Sequence, residues 1–96
     1  MLFNVYIDDF DMRRLGAGLR RLGKVLHLSK SGNLILRLEG SQIPQTDKAV
    51  CDYKLQKIGL VNNILGPVKG PYVSVRPLTD SVRALTGRVL YLVEED

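Results

Sequence analysis

The sequence has few of the residues from which disulfides, metal sites and stacking platforms are built. Among its 96 residues are one cysteine, one histidine and no tryptophan. A single cysteine excludes a disulfide within the chain, and one histidine beside it supplies too few ligands for a metal site, so we expect no metal and no cofactor. A catalytic pair of His27 and Cys51 would need an orienting third group, whereas a cysteine in a strand is more often a small buried hydrophobe.

Long apolar runs and a basic N-terminal start are also missing. No apolar run approaches the roughly 20 residues that a membrane-spanning helix needs. Residues 1–11 hold Asp8, Asp9 and Asp11 but no Lys or Arg, the reverse of a secretory signal. We therefore expect no membrane partner and a cytoplasmic location.

Charge is distributed unevenly along the chain. All 14 basic residues lie between residues 13 and 92, where only four acidic residues accompany them. A basic body suits an RNA-rich environment or an acidic protein surface, although a solvated charged face would have the same composition. Six of the ten acidic residues lie at the two termini, where a precise acid–base geometry is not expected, and we predict no catalytic residues.

Short β-compatible runs separated by Gly, Pro, Ser and Asn dominate the sequence from residue 23 onward. They predict an all-β fold, a small six-stranded closed barrel of the translation-protein-like (reductase/elongation-factor) type, because closure protects sheet edges. Gly59 inside a strand indicates a bulge or a close backbone approach. The predicted strands span residues 24–28, 34–38, 49–52, 56–65, 72–76 and 88–93.

The ends of the chain differ from its centre. Residues 1–12 are apolar and then acidic without a folded period, and the following Gly16 and Gly18 disfavour a helix. We therefore divide the chain into an N-terminal extension (1–20), a barrel domain (21–93) and an acidic tail (94–96). From the residues alone, a binding module is favoured over an enzyme, and its partner stays open.

An ordered set of motifs resembles the glycine–arginine-rich subunit of H/ACA ribonucleoproteins. Residues 58–75, IGLVNNILGPVKGPYVSV, are similar to that family's signature, and the flanking 22–27 and 87–91 resemble its opening hairpin and its last strand. Asn63 stands where the family usually has an acidic residue, and Leu65 where it usually has an aromatic one. The glycine–arginine-rich tails of eukaryotic members are not in this sequence, so the resemblance is to the archaeal-like core.

The resemblance implies a non-catalytic accessory subunit of the RNA-guided pseudouridine synthase, which acts in rRNA pseudouridylation and so in rRNA processing and ribosome biogenesis. Its partner would be the catalytic subunit, whose substrate-clasping loop it modulates to aid substrate loading and product release. Guide RNA and substrate rRNA would be reached indirectly, through the complex. The location would be cytoplasmic, or nucleolar in a eukaryote. The alternative is a small basic barrel that binds RNA directly.

The stiff apolar segment of the signature is the predicted partner-binding site. Prolines fix the backbone there before docking, which lowers the entropy lost on binding, and an exposed tyrosine adds contact area and a hydroxyl. The predicted contact residues are Ile64, Leu65, Gly66, Pro67, Val68, Pro71 and Tyr72.

Overall fold

Six strands and one short 3-10 turn make up the fold. The computed structural model describes residues 18–94, and 17 residues before them and two after them lie outside this range. The elements are β1 (Gly18–Leu28), β2 (Leu34–Arg37), β3 (Ala49–Cys51), β4 (Lys57–Leu65), β5 (Tyr72–Pro77), the 3-10 turn (Arg83–Leu85) and β6 (Val89–Glu94). Within residues 18–94 no helix has the length and hydropathy needed to cross a membrane.

The strands close into an antiparallel barrel in the order β1-β2-β5-β4-β3-β6, which confirms the predicted fold class. Two long strands make the closure. The first half of β1 pairs with β6 and its last residues pair with β2. In the same way β4 pairs with β3 near its start and with β5 along most of its length. Each long strand therefore pairs with its two neighbours along largely different parts of its length.

Side chains alternate between the inside and the outside along the strands, and those that point inward fill the barrel. The leucines of β2 that the sequence places on one face, Leu34 and Leu36, are fully buried, while Ile35 between them is half-buried on the outside. Val73 and Val75 of β5 lie opposite these leucines and are equally buried. The other core residues are Leu22, Val25, Leu38, Val50, Ile58, Val61, Leu90 and Leu92.

Gly59 lies close to the backbone of β5, which is one of the two alternatives predicted from a glycine inside a strand. A Cβ atom on Gly59 would lie 2.2 Å from the carbonyl oxygen of Arg76. No side chain fits this space without moving one strand, so the glycine of the signature is a requirement of barrel closure.

The strand boundaries agree with those predicted from the sequence in the middle of the chain and differ from them at its start. The predicted first hairpin is confirmed: the Ser29 amide donates to the carbonyl of Asn33 (2.7 Å) across the turn. Strand β1, however, begins at Gly18, six residues before the predicted start at 24. Of the predicted extension, residues 1–17 lie outside the described part; of the predicted acidic tail, Glu94 is the last residue of β6.

Candidate partner-binding site

The turn between β4 and β5 is tied to the rest of the barrel. The Gly70 amide donates to the carbonyl of Pro67 (3.2 Å) within the turn, and the Leu38 amide donates to the carbonyl of Pro71 (3.0 Å) from the neighbouring chain segment. Because both prolines also fix their own φ angles, the turn has few alternative conformations. It is a pre-formed surface element.

Gly66 opens the turn and sets the position of the Tyr72 ring. Its φ angle is +85°, which other residues rarely adopt, and a Cβ atom there would lie 3.1 Å from Cδ1 of Tyr72. Leu65, the last residue of β4, pairs with Tyr72 in the sheet. The tyrosine therefore packs over the glycine with its ring half-exposed on the outer face of the barrel.

Leu65, Gly66 and Tyr72 form one wall of an open groove on this outer face, with a volume of about 480 Å³. The opposite wall comes from the first hairpin. A β-bulge between Val25 and His27 interrupts the pairing of β1 with β2, and both Leu26 and His27 are exposed beside it. The groove residues from this side are Leu26, His27, Ser29 and Ile35.

The first-hairpin residues of the groove were missing from the sequence-based prediction. Alternation in β2 did place Ile35 opposite the buried leucines, so a signal for that residue was present. Leu26 had no such signal, because the bulge that exposes it is a product of strand pairing and leaves no local pattern.

The other side of the β4–β5 turn faces a different part of the molecule. Val68, Lys69 and Pro71 line a smaller cavity of about 170 Å³ together with the β2–β3 connection. Val68 is 94% exposed at the turn, and Ile43 of the connection is exposed next to the same cavity. The turn thus presents two apolar surfaces.

The seven predicted contact residues therefore fall into four places. Leu65, Gly66 and Tyr72 lie in the groove; Val68 and Pro71 lie at the smaller cavity. Ile64 is half-buried and packs against the barrel core, and Pro67 is exposed in the turn. Their role in partner binding stays a prediction.

Polar and charged groups lie on the strands that contribute to the groove. Asn62 donates from Nδ2 to Oγ of Ser74 (3.4 Å), and the Asn63 Oδ1 atom accepts from the backbone amide of Ile64 (2.8 Å). The guanidinium carbon of Arg37 lies 5.9 Å from the centre of the Tyr72 ring, within the range of a cation–π contact. The edge of the groove is therefore polar to basic.

Elsewhere the ion pairs are at the surface. Arg20 contacts Glu94 (2.8 Å between Nε and Oε2) and Arg21 contacts Glu39 (2.7 Å between Nε and Oε1). Across residues 18–94 there are twelve basic and five acidic residues, so the described body keeps the basic excess expected from the sequence. Ion pairs at the surface contribute little to stability, because water and salt screen the attraction.

Cys51 and His27 lie in different surroundings. Cys51 is fully buried on the outer side of β3, where it packs with Val93, Leu55 and Tyr91, as expected for a small hydrophobe. Burial raises the pKa of its thiol to about 12. His27 lies in the groove on the first hairpin. Within residues 18–94 no three His, Cys, Asp or Glu side chains cluster in a way that could hold a metal ion.

A closed barrel of six strands, with a rigid apolar turn and an open groove beside it, defines a small binding module. A protein-family model described as the Gar1/Naf1 RNA binding region matches residues 19–95. The chain therefore belongs to the Gar1/Naf1 family, which confirms the resemblance drawn from the signature. The family is one of accessory domains of H/ACA ribonucleoproteins with an RNA-binding association, and it is not a catalytic family.

The chain is similar to two further proteins. An uncharacterized protein of Methanothermobacter thermautotrophicus is 34% identical over 59 residues, which is 62% of this chain and 62% of that protein. The chain thus spans less than two thirds of the length of that relative. The structure of the Gar1 domain of Naf1 superposes with a TM-score of 0.60 over 80% of this chain and 83% of that one, at 18% identity, and so supports the fold.

Proposed function

We propose that this protein is the accessory subunit of an RNA-guided pseudouridine synthase and docks on the catalytic subunit through the groove and the turn. The observation that carries the proposal is the groove itself. It combines a pre-formed turn with exposed aliphatic side chains on a rigid barrel face. Such surfaces bind proteins with little loss of conformational entropy. The pseudouridine chemistry would belong to the synthase, and this chain would supply no catalytic group.

The two sides of the turn would contact two different parts of the catalytic subunit. The groove would bind the body of the catalytic subunit, while Val68 and the surface around it would contact the mobile loop that closes over substrate RNA. A subunit that favours one position of a mobile loop changes substrate loading and product release without touching the chemistry. The protein would then act wherever the guide-RNA particle acts, in the cytoplasm of an archaeon or the nucleolus of a eukaryote.

A matched pair of leucines tests the docking surface. Leu65 in the groove is 40% exposed, and Leu78 at the opposite end of β5 is 47% exposed. We expect Leu65→Ala to weaken affinity for the synthase roughly tenfold, as truncation of a docking residue does, and Leu78→Ala to change it less than about twofold. Calorimetric titration into the synthase measures both. Equal effects of the two variants would contradict docking through the groove.

The double variant Pro67→Ala with Tyr72→Ala tests the turn in the same titration. It removes the rigid tip and the aromatic wall together, and we expect binding to the synthase to be lost. The barrel core does not include either side chain, so its thermal unfolding should remain cooperative. Unchanged affinity of the double variant would exclude the turn as a contact.

Direct RNA binding is the second candidate, favoured by the family description and by the basic excess of residues 18–94. Binding dominated by phosphates weakens steeply as salt rises, whereas docking through an apolar groove does not. Titration with guide RNA at about 50 mM and 200 mM salt separates the two.

A further inference from the structure

Arg37 is held in place at the edge of the groove. It is the last residue of β2 and pairs with Tyr72 of β5, whose ring centre lies 5.9 Å from its guanidinium carbon. The backbone of the β4–β5 turn lies against another side of the Arg37 side chain and restricts its movement. A Cβ atom on Gly70 would lie 3.0 Å from Nη2 of Arg37. A flexible side chain is thus packed between an aromatic ring and a glycine.

The guanidinium nevertheless has no acidic partner in residues 18–94. The two arginine–carboxylate pairs of this part of the chain involve Arg20 and Arg21. Its outward-facing neighbours on β2 and β5 are Ile35, Ser74 and Arg76, none of them acidic. The carboxylate of Glu39, two residues along the chain, pairs with Arg21 instead. An arginine offers five N–H donors in a planar fork that matches a carboxylate with two parallel hydrogen bonds. The fork of Arg37 is therefore positioned, exposed and open to an acceptor.

We propose that Arg37 binds a carboxylate of the protein partner at the edge of the groove. This inference rests on the proposed docking function and names the chemistry of the partner surface, which would be apolar opposite the groove and acidic opposite Arg37. A carboxylate is favoured over an RNA phosphate by what lies beside the arginine. Single-stranded RNA is bound on several stacking aromatics, whereas Tyr72 is the one Phe, Tyr or Trp residue of the groove. Three aliphatic residues, Leu26, Ile35 and Leu65, provide most of the remaining side-chain surface, beside His27 and Ser29.

Five variants, two of them controls, test the proposal by titration into the synthase. Arg37→Met should weaken binding roughly tenfold, and Arg37→Lys should recover less than half of that loss, because an ammonium group cannot form the paired hydrogen bonds. Arg88→Met is the matched control, since it removes the same charge from an exposed position just before β6. It should change affinity less than about twofold.

The fourth variant moves the guanidinium without removing it. In Gly70→Ala the new methyl group would displace the end of the Arg37 side chain at unchanged charge, so affinity should fall about threefold or more. Gly18→Ala is its control, because a Cβ there meets nothing within 4 Å. Thermal unfolding of each variant shows that the barrel is intact.

The outcomes separate this inference from the proposed function. Failure of the unaltered protein to bind the synthase would overturn both. Tight binding that Arg37→Met and Arg88→Met weaken equally would overturn the inference alone, since any positive charge would then serve. Weaker binding of Arg37→Met to guide RNA, with affinity for the synthase unchanged, would also overturn it and assign the arginine to a phosphate.

Discussion

Replacing Gly59 by alanine should destabilise the barrel severely, because the new methyl group collides with the backbone of β5. Its Cβ would lie 2.2 Å from the carbonyl oxygen of Arg76 and 3.0 Å from Cα of Pro77. An ordinary carbon–oxygen contact is about 3.3 Å, so the strands must separate by about 1 Å. Both atoms belong to main chain, and neither can rotate away.

The cost follows from what this separation disrupts. Overpacking of a tight site costs about 1–3 kcal/mol. The hydrogen bond from the Leu78 amide to the carbonyl of Ile58 (2.7 Å) joins the same two strands and would lengthen, at a further cost of about 1 kcal/mol. The sum, about 2–4 kcal/mol, is a large part of the roughly 5–14 kcal/mol expected for a domain of this size.

Urea unfolding followed by circular dichroism measures the loss. With an m-value of about 1 kcal/mol per molar urea for so small a domain, the midpoint should fall by about 2 M or more. Gly18→Ala, where a Cβ meets nothing within 4 Å, is the control and should unfold close to the unaltered protein. A midpoint for Gly59→Ala within about 0.5 M of that control would refute the close approach of β4 and β5.

Two further predictions concern the turn and the buried thiol. Gly66→Ala should cost about 1–2 kcal/mol, because it forces a non-glycine residue into a φ of +85° against the Tyr72 ring; an equal urea midpoint would contradict this. The pKa of Cys51, raised by burial from 9.0 to about 12, makes the unfolding free energy fall as pH rises between these values, because only the unfolded thiol ionises there. The contribution of Cys51 to the slope of unfolding free energy against pH should reach about 1.4 kcal/mol per pH unit and be lost in Cys51→Ala. Parallel pH profiles of the two proteins would show that the thiol is not buried.

Local sequence patterns were sufficient to predict the first hairpin and the glycine contact in β4. The turn residues Ser31, Gly32 and Asn33 and the alternation in the following strand predicted the first hairpin. The glycine at 59 predicted a bulge or a close backbone approach, and the structure has the close approach. Both depend on interactions within a few residues or on the absence of one side chain, and these properties are carried by the sequence itself.

Pairing between distant strands explains what the sequence did not predict. The first residues of β1 include Gly18, Arg20 and Arg21, which have low β-propensity or a charge. This part of the strand is extended because it pairs with β6, near the other end of the chain. The far wall of the groove depends on the bulge beside Leu26, which is likewise a consequence of pairing with β2. The signature therefore contains the residues of one wall of the groove, Leu65, Gly66 and Tyr72, and none of those in the other wall.

Calorimetric titration of the unaltered protein into the pseudouridine synthase of the same source, with and without guide RNA, tests the central claim most directly. We predict tight one-to-one binding that needs no RNA and persists at high salt, because an apolar groove provides most of the contact. No heat with the synthase, together with salt-sensitive binding to RNA alone, would contradict the account and make the basic surface the functional one.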